Sequence, residues 1–152
     1  MVIFVGAGPG AEDLITVRGQ KYLQQADQII YAGSLVNPAL LDMKKETAIV
    51  KNSAYMTLEE VIQAICEEEE KGGLTVRLHT GDPCLYGAIR EQMDELDARG
   101  ISYEVCPGVS SFSGAAAALQ AEYTLPSISQ SVVITRMAGR TPVPERESIR
   151  AF

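Results

Sequence analysis

The sequence predicts an α/β domain: an open, mostly parallel sheet with helices on both faces. Two observations carry this expectation. Apolar runs of strand length alternate with segments of helical period, the pattern of parallel strands joined by crossover helices. The first run, Val2-Ile3-Phe4-Val5, is continuous rather than alternating, as expected of a strand covered on both faces. With 152 residues, 46% of them hydrophobic and 22% charged, the chain can bury about two thirds of its unfolded surface and needs no metal or disulfide staple.

Each element has its own signal. Residues 2–5 form the first strand, closed by Gly6. A helix follows from Thr16, with Val17, Tyr22 and Leu23 towards the sheet and Arg18 and Lys21 outward. Residues 29–31 form the next strand, stopped by Ala32-Gly33-Ser34. Thr57-Leu58-Glu59-Glu60 is a capping box, in which hydroxyl and carboxylate each take a backbone N–H left open at the helix start. Val61, Ile62, Ile65 and Cys66 form that helix's apolar stripe, and Glu67 to Glu70 a solvated run ended by Gly72-Gly73. A strand at residues 75–78 leads through the Gly81 loop to a helix around Ile89, Met93 and Leu96, closed by Gly100. Residues 103–106 are a strand broken by Pro107-Gly108; an alanine-rich helix follows at 113–120, and a last strand at 131–135. Thr141-Pro142-Val143-Pro144-Glu145 reads as a linker. The organisation expected is therefore an amino-terminal domain at residues 1–138, then at 139–152 a linker and the start of a truncated second domain.

Composition excludes several classes of function. Lys and Arg total 13 against 20 Asp and Glu, for a net charge of −7, the opposite of the basic footprint that a nucleic-acid partner needs. An anionic small substrate would have to meet a local cluster of basic side chains. Cys66, Cys84 and Cys106 are odd in number and widely spaced, which fits reduced thiols and a cytoplasmic protein. His79 is the only histidine, so no metal site is expected. No apolar run approaches a bilayer's thickness, so no membrane span is expected either.

Three glycine-containing loops each follow a strand, and a parallel sheet gathers such loops at its carboxyl edge, where open α/β proteins bind ligands. Gly6-Ala7-Gly8-Pro9-Gly10-Ala11 formally satisfies the dinucleotide fingerprint. The helix signal starts only near Thr16, the second strand ends without a carboxylate, and Pro9 removes a donor, so a nicotinamide-dinucleotide oxidoreductase is the lesser alternative. In His79-Thr80-Gly81-Asp82-Pro83 the acid at position 82 either accepts hydrogen bonds from a ligand or sits in an Asp-Pro turn and caps the next helix. In Pro107-Gly108-Val109-Ser110-Ser111 either serine suits a helix N-cap. His79 is the one candidate general base, and Cys84 reads as an inert, packed thiol. A third alternative is a non-catalytic interaction domain.

Taken together and in this order, Gly6-Ala7-Gly8-Pro9-Gly10 with Leu14-Ile15-Thr16, Gly81-Asp82-Pro83, and Pro107-Gly108-Val109-Ser110-Ser111 resemble the tetrapyrrole (corrin/porphyrin) methylases. Tyr31-Ala32-Gly33-Ser34-Leu35-Val36 and the run from Thr135 through Arg140 to Glu145 resemble the branch that methylates a corrin precursor in cobalamin synthesis. The resemblance implies S-adenosylmethionine as methyl donor, held by Pro9, Thr80, Gly81, Asp82, Leu85, Ser110 and Ser111. It implies a homodimer and a second α/β domain completing the cleft. It gives no base, because Ala32 and Gly33 stand where the uroporphyrinogen-type members carry an aspartate. A corrinoid substrate bearing many carboxylates directs attention to Arg136 and Arg140 as its binding residues, ahead of Lys51 and Arg18.

Overall fold

A computed structural model describes residues 1–139 and 142–149. Five strands, β1 (Val2–Gly6), β2 (Gln28–Tyr31), β3 (Ile49–Asn52), β4 (Thr75–His79) and β5 (Tyr103–Cys106), form one sheet in the order β3-β2-β4-β1-β5. Every pairing is parallel, with Val2 beside both Thr75 and Tyr103 and Gln28 beside both Ile49 and Thr75.

Side-chain alternation sends each strand's apolar residues to two separate cores. Ile3, Val5, Ile29, Val76 and Leu78 join Leu23 of α1 (Val17–Gln25) and Leu40 of a 3-10 turn, Pro38–Met43, on one face. Val2, Phe4 and Ile30 join Val61, Ile62 and Ile65 of α2 (Leu58–Glu69) and Leu96 of α3 (Ile89–Ala98) on the other. The expected cover of helices on both faces is present.

The capping box forms as read: Thr57 Oγ1 accepts from the Glu60 amide and the Glu60 carboxylate from the Thr57 amide. Elsewhere the structure corrects the sequence. Val17 is 68% exposed and Gly19 takes its place against the sheet, because a Cβ at 19 would already lie 3.0 Å from the side chain of Val5. Glu68 is buried within the acidic run and paired with Lys71 at 3.2 Å. The sheet's edge strand β3 was not expected. The fourth helix, α4 (Ser111–Ala118), starts two residues early. Residues 131–135 form no strand; Val132, Val133 and Ile134 are exposed. Their β-branched run has the propensity of a strand, but no neighbouring strand among the described residues takes up its backbone groups.

The chain divides into two compact units, Met1–Ala115 and a second beginning at Ala116. The sheet and both cores belong to the first.

Candidate functional site

β1 and β4 are neighbours at the centre of the sheet, yet the chain leaves β1 towards β2 and leaves β4 towards β5. Their carboxyl ends are therefore the switch point where open parallel sheets bind ligands. The loops after β1, β4 and β5 meet there.

Backbone contact fastens them. Gly8 and Gly81 exchange amide hydrogen bonds of 3.2 and 2.8 Å, and the Ala7 amide donates to the His79 carbonyl at 2.7 Å. Gly8 (φ +78°) and Gly81 (φ +63°) both take left-handed backbone for this exchange. A Cβ on Gly108 would fall 2.1 Å from the Gly81 carbonyl oxygen and 2.7 Å from the Gly6 Cα. Only glycine permits the three turns to close on one another.

Asp82 is the staple between the second loop and the third. Its Oδ1 accepts from the Cys84 amide at 2.8 Å, and its Oδ2 from the Gly108 amide at 2.9 Å. Asp82 thus closes its own turn and reaches the third loop but does not cap the next helix, since α3 begins only after Ala88, and each carboxylate oxygen keeps a second acceptor direction. The Gly81 Cα approaches the turn of Ser110 and Ser111: a Cβ there would sit 3.5 Å from the Ser111 amide. Ser110 precedes α4, and its carbonyl accepts from the Gly114 amide at 3.1 Å. Pro9 packs on Gly114, whose absent Cβ would lie 2.7 Å from the proline ring.

Pro9, Thr80, Gly81, Asp82, Ser110 and Ser111 are therefore gathered in one cluster. Leu85 joins it through its amide, which donates to the Asp82 carbonyl at 3.2 Å, and its side chain is 39% exposed. Among the described residues the hydroxyls of Thr80, Ser110 and Ser111 have no hydrogen-bond partner. Gly10 (φ +137°) faces open space beside Pro9.

His79 differs from the other candidates. Its ring is 3% exposed, its centroid lies 6.0 Å from that of Phe4, and its Nε2 has no partner among the described residues. Burial first, and the charge of Arg77 second, push its pKa down to about 3, so the imidazole is neutral at physiological pH. Cys84 is exposed rather than packed, and burial of its sulfur together with the nearby Asp82 charge raises its pKa, which keeps the thiol protonated. Arg136 lies in the second unit and donates to the carbonyls of Met137 and Pro142 at 3.3 and 3.2 Å. Arg140 lies outside the described residues.

The dinucleotide alternative loses its geometric basis. A 3-10 turn, Glu12–Leu14, separates Gly10 from α1, which starts only at Val17, so no helix N-terminus opens on the last glycine to hold a pyrophosphate.

Sequence reasoning missed two buried polar residues beside this edge, Arg77 of β4 and Gln92 of α3, which hydrogen-bond to each other at 2.8 Å. A charged residue inside the otherwise apolar run Thr75-Val76-Arg77-Leu78 was the available signal.

Comparison with known proteins agrees with this geometry. The family model for tetrapyrrole (corrin/porphyrin) methylases matches residues 1–152. The cobalt-precorrin-4 C(11)-methyltransferase of Methanocaldococcus jannaschii is 56% identical over 98% of the chain and 58% of its own length. The crystal structure of a cobalt precorrin-4 methyltransferase, a cobalamin biosynthetic enzyme, superposes with a TM-score of 0.93 at 50% identity, covering 97% of the chain and 62% of that structure. The uroporphyrin-III C-methyltransferase of Thermus thermophilus, solved with S-adenosylhomocysteine, gives a TM-score of 0.63 at 29% identity over 72% of the chain and 48% of that structure. The chain thus spans about three fifths of the length of the Methanocaldococcus jannaschii relative and of the cobalt precorrin-4 methyltransferase structure. With its parallel sheet, its three fastened loops and a family match over its whole length, the chain belongs to the tetrapyrrole (corrin/porphyrin) methylases.

Proposed function

We propose that this protein transfers a methyl group from S-adenosylmethionine to C-11 of cobalt-precorrin-4, a corrin precursor of cobalamin, in the cytoplasm and as a homodimer. The observation that carries the reading is 56% identity to a cobalt-precorrin-4 C(11)-methyltransferase along nearly the whole chain. The loop cluster at the carboxyl edge supports the same reading.

The residues present suit the donor. Gly10, without a Cβ, leaves space beside Pro9; Leu85 offers apolar surface; Thr80, Ser110 and Ser111 offer hydroxyls; and Asp82 brings a negative charge towards a cationic ligand. S-adenosylmethionine supplies an electrophilic methyl group on a sulfonium. The chain's contribution is positional: the fastened loops hold the donor site in one shape, and orientation of this kind can lower a barrier by several kcal/mol. Arg136 and Arg140 would meet the carboxylates of the corrinoid. Residues 1–138 act in this reading as the amino-terminal domain, with 139–152 leading into a second. His79, neutral and packed against Phe4, is not needed as a base, because the electron-rich macrocycle itself drives attack on the methyl group.

A calorimetric titration of this chain with S-adenosylhomocysteine and with NADH tests the reading. Saturable binding of the first alone, weakened about tenfold by Asp82→Asn, is the expected result, since the amide cannot accept both backbone N–H groups. Binding of NADH alone, or of neither ligand, would overturn it.

A further inference from the structure

The loop after β4 turns a strained corner before α3 begins. Tyr86 (φ +58°) and Ala88 (φ +49°) both hold left-handed backbone although neither is glycine, a conformation that their Cβ atoms oppose. Between them, a Cβ on Gly87 would lie 2.1 Å from the carbonyl oxygen of Pro83, so the loop winds closely on itself. Ala88 is also the N-cap residue of α3 and has no side chain with which to cap it. Such a corner persists only where the surrounding structure fixes it.

A buried polar chain runs to this corner from the carboxyl ends of β2 and β3. Ser53, directly after β3, donates its hydroxyl to the Tyr31 carbonyl at 3.0 Å. Arg77, 3% exposed, donates from Nη1 to the Ile30 carbonyl at 2.6 Å, reaches Ser53 Oγ at 3.5 Å, and donates from Nε to Gln92 Oε1 at 2.8 Å. Gln92, 6% exposed, donates from Nε2 to the Ala88 carbonyl at 3.1 Å. No ion pair among the described residues includes Arg77. A buried cation held only by neutral partners is a poor source of stability, and apolar residues would fill the same space better. What the chain provides is a fixed link between the sheet and the corner.

We propose that Arg77 and Gln92 are positioning residues: they lock the corner at residues 86–88 and thereby fix the Asp82 to Leu85 segment in the methyl-donor site. The proposal rests on the reading of that loop as the donor site. A residue that only filled the core would support the whole sheet, whereas a positioning pair controls one loop and its ligand.

The test compares this chain with its Gln92→Leu and Gln92→Glu variants by amide hydrogen exchange and by titration with S-adenosylhomocysteine. Gln92→Leu is expected to speed exchange across residues 84–90 about tenfold with β1 and β4 unchanged, and to weaken the ligand about tenfold. Gln92→Glu still accepts from the Arg77 guanidinium but has no N–H to donate to the Ala88 carbonyl, so it is expected to lose the link to the corner and to match Gln92→Leu in faster exchange at 84–90 and weaker binding. Unchanged exchange at 84–90 in Gln92→Leu would overturn the proposal, and so would a uniform rise through the sheet or a looser loop with unaltered affinity. Exchange is read without ligand, so failure of the parent chain to bind S-adenosylhomocysteine would refute the donor-site reading separately from the link between Arg77, Gln92 and the corner.

Discussion

At the scale of single residues, His79 carries a consequence that is independent of catalysis. Its imidazole is buried and neutral in the folded chain, with a pKa pushed down to about 3, whereas in the unfolded chain it titrates near 6.5. Between these values the unfolded chain binds the proton and the folded one does not. This contribution to stability is therefore complete above about pH 6.5 and declines as the pH falls towards 3, by about 1.4 kcal/mol per pH unit. Urea unfolding at pH 7, 5 and 4 should show a shallower acid loss in His79→Leu than in the parent chain; equal slopes would mean that the ring is protonated in the fold. At pH 7 the same variant should be as stable as the parent or more so, because it replaces a buried Nε2 that has no partner among the described residues.

At the scale of elements, what the sequence made legible was what neighbouring residues decide together. The capping box at Thr57 and Glu60 lies within one turn, and the helix starts where it says. The strand-end glycines at 6, 81 and 108 marked the three loops, but the reason for glycine is the mutual approach of three turns more than twenty residues apart in sequence. Val17 was misplaced for the same reason: helical spacing cannot reveal that α1 crosses β1 so closely that a Cβ at Gly19 would lie 3.0 Å from the side chain of Val5. Arg77 and Gln92 were invisible as a pair, since one lies on a strand and the other on a helix. The loop junction itself predicts a sharp intolerance. In Gly108→Ala the new methyl group would meet backbone atoms of Gly6 and Gly81, which cannot rotate aside. A loss of about 3 kcal/mol, seen as a fall of roughly 8 °C or more in the thermal midpoint, is expected. A midpoint within a degree of the parent would show that the loops part easily.

At the scale of the whole molecule, buried apolar surface is unevenly distributed along the chain. Every buried hydrophobic residue among those described lies between Val2 and Cys106, and the first compact unit ends at Ala115. Beyond it, Leu119, Ile128, Val133 and Met137 are 77%, 80%, 58% and 74% exposed. A strand-like sequence at 131–135 without a strand is the same fact seen locally: its apolar side chains and β-branched propensity are suited to a sheet that these residues do not build by themselves. Stability should therefore reside almost wholly in the first unit, because hydrophobic stabilisation follows apolar area removed from water. A chain ended at residue 120 is expected to keep its thermal midpoint within about 3 °C of the parent and to lose no cooperativity. If the midpoint fell by about 10 °C or the transition broadened, residues 121–152 would be contributing to the core of the first unit, and the division of the molecule drawn from its burial would be wrong.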